Sequence, residues 1–213
     1  YKYMTGLVEY KEGAAFFSVI SDWQTKVVQG DGWAYGSEFF LQKKFGKTTG
    51  WIGYTLSWNK RKFEELNHGN VYPYKYDRRH DASLVIAHEF NKKVDVGLVW
   101  VFGTGNATTL PVASYQGNAM NQLSQLGFPT TVDYISSRNG YRLNPYHRLD
   151  LSVNLNKELK RFTRTWSFSV YNTYSRRNPY FLYFDNDPRT GLRVLKQVSL
   201  FPIIPSVAYR FKF

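Results

Sequence analysis

Cysteine is absent from the 213 residues, which excludes a disulfide framework and any thiolate metal site. Long apolar runs are absent too. No stretch approaches the roughly 20 residues of a membrane helix, and mean hydropathy is -0.45. That value does not exclude a membrane, because a spanning strand alternates lipid-facing and lumen-facing residues and averages near neutral. No window sustains a helical period, and no Gly-x-Ser-x-Gly, Walker loop or His-Glu-x-x-His occurs, so no enzyme is expected. The opening Tyr1-Lys2-Tyr3 has no Met, basic n-region or apolar h-region, so an export signal is expected to have been removed or to lie upstream. Acidic residues are few, 16 against 28 Lys and Arg, for a net charge of +12. This excess fits a solvated surface, nucleic acid, or the phosphates of lipopolysaccharide or an anionic substrate, and charge does not choose among them.

Aromatic residues are abundant (Tyr 17, Phe 16, Trp 6), and period-two alternation recurs from end to end. Residues 33–45 set Trp33, Tyr35, Phe39, Leu41 and Phe45 against Ala34, Gly36, Glu38, Gln42 and Lys44. Segments 51–59, 81–90, 94–103, 148–156, 165–175 and 206–213 repeat the pattern, and a shorter candidate lies at 1–5. In 148–156, Leu149, Leu151, Val153 and Leu155 oppose Arg148, Asp150, Ser152, Asn154 and Asn156. These eight segments predict an all-β chain of antiparallel strands. One face is aliphatic with aromatic ends; the other is too polar for a dry interior. Alternation alone does not say which face is inside.

Connection lengths add a second pattern. Links at 45–50, 90–94 and 157–164 are short, whereas 6–30, 60–78, 104–146 and 184–192 are long, in strict alternation. In an antiparallel meander this puts tight turns at one end and large loops at the other, as in outer-membrane barrels. Loops of that length are uncommon without a function.

Several clusters carry candidate chemistry. In Arg78-Arg79-His80-Asp81, His80 would be a base or ligand oriented by Asp81. Adjacent strand residues point to opposite faces, however, which favours a charged collar. His68, His80, His88 and His147 lack metal-ligand spacing, so no metal and no cofactor is expected. Lys60-Arg61-Lys62 and Tyr72-Pro73-Tyr74-Lys75-Tyr76 interleave bases with aromatics, as in a girdle beneath lipopolysaccharide or a surface that stacks sugars or nucleobases. Gln116, Asn118, Asn121 and Gln122 in the long polar loop are candidate ligand contacts. Phe16, Phe17 and Trp23 either cover a barrel mouth or pack their own loop.

Tyr10-Lys11-Glu12-Gly13-Ala14, Gly32-Trp33-Ala34-Tyr35-Gly36, Gly50-Trp51-Ile52-Gly53-Tyr54-Thr55, Tyr76-Asp77-Arg78-Arg79-His80-Asp81 and Gly103-Thr104-Gly105-Asn106 carry a resemblance. Tyr146-His147-Arg148-Leu149-Asp150, Asn178-Pro179-Tyr180 and the closing 202–211 continue it. Together they resemble the C-terminal barrel of TonB-dependent receptors of the Bacteroidetes type, over essentially the whole of 1–213. The resemblance implies a transmembrane antiparallel β-barrel of 22 strands in the bacterial outer membrane, of which these are about the last eight. It also implies an upstream plug domain and TonB box, energised uptake of a nutrient or chelate, and contact with lipid and lipopolysaccharide, with a surface lipoprotein as a further partner and no nucleic acid. Glu38, Gln42, Thr55, Ser57, Glu89, Asp95, Arg148, Asp150, Asn154, Arg210 and Lys212 would face the lumen and plug, and Tyr209, Phe211 and Phe213 would form a terminal barrel signal. Three alternatives stay open: a free-standing eight-strand barrel, a transporter-like barrel serving as an interaction subunit, and a soluble basic β-domain that binds nucleic acid. The small Gly53, Ser57, Gly97 and Ser167 speak against the first, since they would leave its lumen unfilled.

Overall fold

The computed structural model describes residues 1–11, 23–116 and 131–213. These residues are all-β, with two short 3-10 turns at Trp23–Lys26 and Asn67–Gly69. The strands are β1 (Lys2–Tyr10), β2 (Val27–Lys43), β3 (Thr48–Lys62), β4 (Tyr72–Pro73), β5 (His80–Asn91), β6 (Val94–Gly103), β7 (Ala107–Thr108) and β8 (Ala113–Gln116). They continue with β9 (Thr131–Tyr134), β10 (Tyr141–Arg142), β11 (Tyr146–Glu158), β12 (Thr163–Tyr171), β13 (Pro179–Asn186), β14 (Arg193–Ser199) and β15 (Ile204–Lys212). The principal sheet has the order β1-β2-β3-β5-β6-β11-β12-β15, with β4 added to β3. Three separate two-stranded pairs are β7 with β10, β8 with β9, and β13 with β14. The principal order does not return on itself, so the described residues form an open antiparallel path rather than a closed barrel.

Eight strands fall where alternation predicts them, with altered ends. β1 runs to Tyr10 and β2 begins at Val27, which shortens the expected 6–30 link. The strand expected over 165–175 stops at Tyr171, because Asn172 turns the chain with φ 52. The link expected at 184–192 is the tip of the β13–β14 hairpin, and the true connection is 172–203. Four short strands also occupy the expected 104–146 link. The strict alternation of short and long connections survives these changes. Short turns close β2–β3, β5–β6 and β11–β12. In the second of them Asn91 Oδ1 accepts from the backbone of Lys93 (2.8 Å) and Val94 (3.1 Å).

The chain divides into two units, and β2 and β3 contribute to both. The second comprises 37–56, 79–105 and 144–213. Its register sorts side chains into two rows, because partners across a ladder share a face. Leu149, Leu151, Val153 and Leu155 of β11 sit opposite Trp100, Leu98, Val96 and Val94 of β6. Val153 and Leu155 also sit opposite Phe168 and Trp166 of β12, which face Val207 and Tyr209 of β15. On the other face Asn154 pairs with Asp95, Ser152 with Gly97 and Ser169, and Asn154 with Ser167. In β11 and β12 the apolar row is the more exposed one. Leu151, Val153, Leu155 and Phe168 are 38%, 38%, 43% and 44% exposed, whereas Ser152, Asn154, Asn156, Ser167 and Ser169 are half-buried. Among the described residues this unit contains no buried hydrophobic side chain.

The first unit, 1–36, 57–78 and 106–143, holds the small apolar core. Val28, Phe63, Leu66 and Tyr72 are buried together, with Leu7 against them. Two glycines of β2 make this packing possible. A Cβ on Gly30 would lie 2.5 Å from Phe63 Cγ, and one on Gly32 would strike Arg61 Nη1 and come within 2.8 Å of Leu7 Cδ1.

Candidate functional site

Most of the expected lumen residues share the polar row. Asp95 receives Asn154 Nδ2 at 2.6 Å and Asn156 Nδ2 at 2.7 Å, and Thr165 Oγ1 donates to Asn156 Oδ1 at 2.7 Å. Glu89 stands opposite Asp95 on β5, and Arg210 and Lys212 stand opposite Thr165 and Thr163. Thr55 pairs with Asp81 on the same face. Phe40 packs against Trp51 at 5.8 Å, and Trp51 faces Val85 in the polar row. Alternation therefore puts Glu38 and Gln42 there as well. Ser57 Oγ, in the first unit, donates to the carbonyl of Arg78 at 2.9 Å.

Toward the other ends of the same strands, Arg148 Nη1 donates to Tyr146 Oη at 3.0 Å and Tyr171 Oη at 2.8 Å. Its guanidinium lies 4.2 Å from the Tyr171 ring centre, with Nε 2.9 Å from Asp150 Oδ2. Asp150 Oδ1 accepts the backbone N–H of Asn172. Arg148 and Asp150 thus neutralise each other, and both are hydrogen-bonded to their neighbours. The polar row is not uniform: Trp51, Val85, Val99 and Val101 belong to it.

His80 and Asp81 occupy opposite faces, as strand geometry demands. Asp81 shares a row with Thr55 and Gly103, whereas His80 pairs with Leu56 and its Nδ1 lies 2.7 Å from Tyr54 Oη. Two buried asparagines tie down the long connection after β12. Asn172 Oδ1 accepts from Arg176 N, and its Nδ2 donates to the carbonyls of Arg176 and Phe201. Asn178 bonds both backbone groups of His147 at 3.0 Å.

The first unit contains a cavity of about 630 Å³, lined by Leu7–Tyr10 of β1, Arg61, Asn67, His68, Tyr74, Lys75, Thr109 and Ile135–Asn139. Arg61 is only 7% exposed. Its Nη1 donates to Asn59 Oδ1 (2.9 Å) and to the Lys60 carbonyl (3.3 Å), and its guanidinium lies 4.3 Å from the Tyr74 ring centre. No ion pair among the described residues engages it. Arg138, in contrast, meets Glu9 at 2.8 Å, and Tyr72 Oη donates to that carboxylate at 3.1 Å. Burial, with the Glu9 charge beside it, holds the Tyr72 phenol well above the usual tyrosine range. Asn67 Oδ1 accepts from Arg138 N at 2.8 Å, and Asn139 Nδ2 donates to the Pro73 carbonyl at 2.9 Å, so side-chain amides join the segments of the wall.

The interleaved motif at 60–62 and 72–76 is therefore divided. Tyr72 and Arg61 are buried, while Lys75 and Tyr76 are exposed and Lys75 Nζ lies 4.9 Å from the Tyr76 ring centre. Of the candidate loop contacts, Gln116 ends β8, and Asn118, Asn121 and Gln122 lie outside the described residues, as do Phe16 and Phe17. Trp23 opens the first 3-10 turn and is exposed. Tyr209, Phe211 and Phe213 form a chain of ring contacts at 6.3 and 5.5 Å along the end of β15. Comparison with family models, curated proteins and solved structures finds no match.

Proposed function

We propose that the sheet is part of the wall of an outer-membrane barrel of the TonB-dependent transporter type. The observation that carries this reading is the inverted exposure of β11 and β12, where the aliphatic and aromatic row is the open one and the amide and hydroxyl row is the covered one. In water an open row of Leu, Val, Trp and Phe across adjacent strands would be an aggregation surface; in a bilayer it is the lipid-facing band. Strand length agrees, since β5, β6, β11, β12 and β15 have 12, 10, 13, 9 and 9 residues, against about 9–11 for a tilted spanning strand. The parity of the connections adds direction, with short turns periplasmic, long connections extracellular and β15 descending to a periplasmic Phe213.

In this reading the Asp95, Asn154, Asn156 and Arg148 networks hydrate the lumen and meet a plug, and the chain performs no bond chemistry itself. Tyr209, Phe211 and Phe213 add a run of aromatic rings at the periplasmic end of β15. The test is envelope fractionation of the full-length protein, combined with uptake of its cargo before and after collapse of the proton gradient. Outer-membrane recovery with gradient-dependent uptake is expected. Recovery in the aqueous fraction without detergent would sink the reading, and outer-membrane recovery without uptake would leave the interaction-subunit alternative.

A further inference from the structure

We propose that the cavity of the first unit binds an organic oxyanion of sugar size, a polar ring carrying a carboxylate, phosphate or sulfate. Arg61 is 7% exposed as a residue, so it has lost most of its hydration, and no carboxylate among the described residues replaces it. Burying a cation this way is unfavourable unless an anion shares the site. Tyr74 and two neutral oxygen acceptors hold the group in place without neutralising it.

The remaining charges point the same way. Glu9 is balanced by Arg138, so Arg61 and Lys75 leave the lining with a formal surplus of two positive charges. No cluster of three acidic or histidine ligands exists among the described residues, and this lining does not suit a cation. The volume accommodates a ring-sized molecule rather than a bare ion. The exposed Tyr10 offers an aromatic surface, and Ser136 and Ser137 bring hydroxyls of the kind a hydroxylated ring engages. The wall is also organised in advance. Asn67 and His68 hold left-handed backbone at φ 50 and 56, and Asn67 is bonded across to Arg138. Every lining residue belongs to the first unit, so the inference goes beyond the transporter reading and does not rest on it.

The test is calorimetric titration of the purified full chain with glucuronate, glucose 6-phosphate and glucose. Both anions are expected to bind at least about tenfold more tightly than glucose, with an affinity that falls as salt rises. Arg61→Gln is expected to weaken the anions about 10- to 100-fold and to leave glucose unaffected. Because Arg61 also packs against Gly32 and Tyr74, that variant is to be checked for native fold, and the exposed Lys75→Gln, expected to lose about threefold or more, gives a test that does not disturb the core. Competition by lipopolysaccharide assigns the oxyanion to a lipid headgroup; its failure to compete assigns it to a free solute. Equal binding of glucose and the anions, no saturable anion binding, or full affinity in Lys75→Gln and folded Arg61→Gln would overturn the proposal. Anion binding by a protein recovered in the aqueous fraction would remove the transporter reading and keep this one.

Discussion

Val153→Arg places a charge in the middle of the open row of β11. Val153 lies between Val96 of β6 and Phe168 of β12, 38% exposed, five residues from Glu158 and seven from Tyr146. With a rise of about 3.3 Å per residue and a tilt of about 40°, it sits roughly 13 Å above the lower strand end and 18 Å below the upper, near the centre of an apolar band about 25 Å tall. Arginine at a bilayer midplane costs about 2–4 kcal/mol, falling to about 0–1 near an interface. At a comparably exposed position in water the same change stays within about 0.5 kcal/mol. The assay is denaturant unfolding of the full-length protein in lipid vesicles, with Ser152→Arg on the opposite row as the matched control. A loss of 2 kcal/mol or more for Val153→Arg, exceeding that for Ser152→Arg, is expected. A loss below about 0.5 kcal/mol, or one no larger than the control, would refute the lipid-facing assignment.

Three further outcomes concern the first unit. Asp77 is 2% exposed and accepts the Asn59 N–H at 2.6 Å while pairing with Arg142. Asp77→Ala should therefore cost about 3 kcal/mol, read as faster amide exchange over 57–78. Gly32→Ala drives a methyl into Arg61 and Leu7, so it should destabilise the unit by about 1–3 kcal/mol and lower anion affinity in the same titration. The folded pKa of Tyr72 lies above its unfolded value near 10. Its contribution to stability is thus fully present below pH 10 and lost as pH rises through the folded value. Phenolate absorbance of wild type minus Tyr72→Phe should show this one tyrosine ionising late, and a transition at or below pH 10 would contradict that.

The strands were legible because side-chain polarity follows the backbone period of two in each of the eight segments; exposure follows it in β11 and β12. The strand ends were less legible. Gln29-Gly30-Asp31-Gly32 has the composition of a turn, yet it lies within β2, where its glycines let Phe63 and Arg61 approach closely. Tyr180-Phe181-Leu182-Tyr183-Phe184 has no alternation to read, and the β13–β14 hairpin went unseen. The separation of His80 from Asp81 followed from pleat geometry alone. The cavity did not, because it brings Glu9 to Arg138 across 129 positions, a distance over which no spacing rule operates. The interleaved bases and aromatics of 60–76 were its one sequence signal. Burial decided which of them turned inward.

The most direct test of the lipid-facing row is fluorescence quenching by brominated acyl chains in single-tryptophan variants of the full-length protein. Trp100 and Trp166 belong to the open row and Trp51 to the polar row. The account predicts strong quenching at Trp100 and Trp166 and little at Trp51. Equal quenching at the three positions, or none at Trp166, would contradict it.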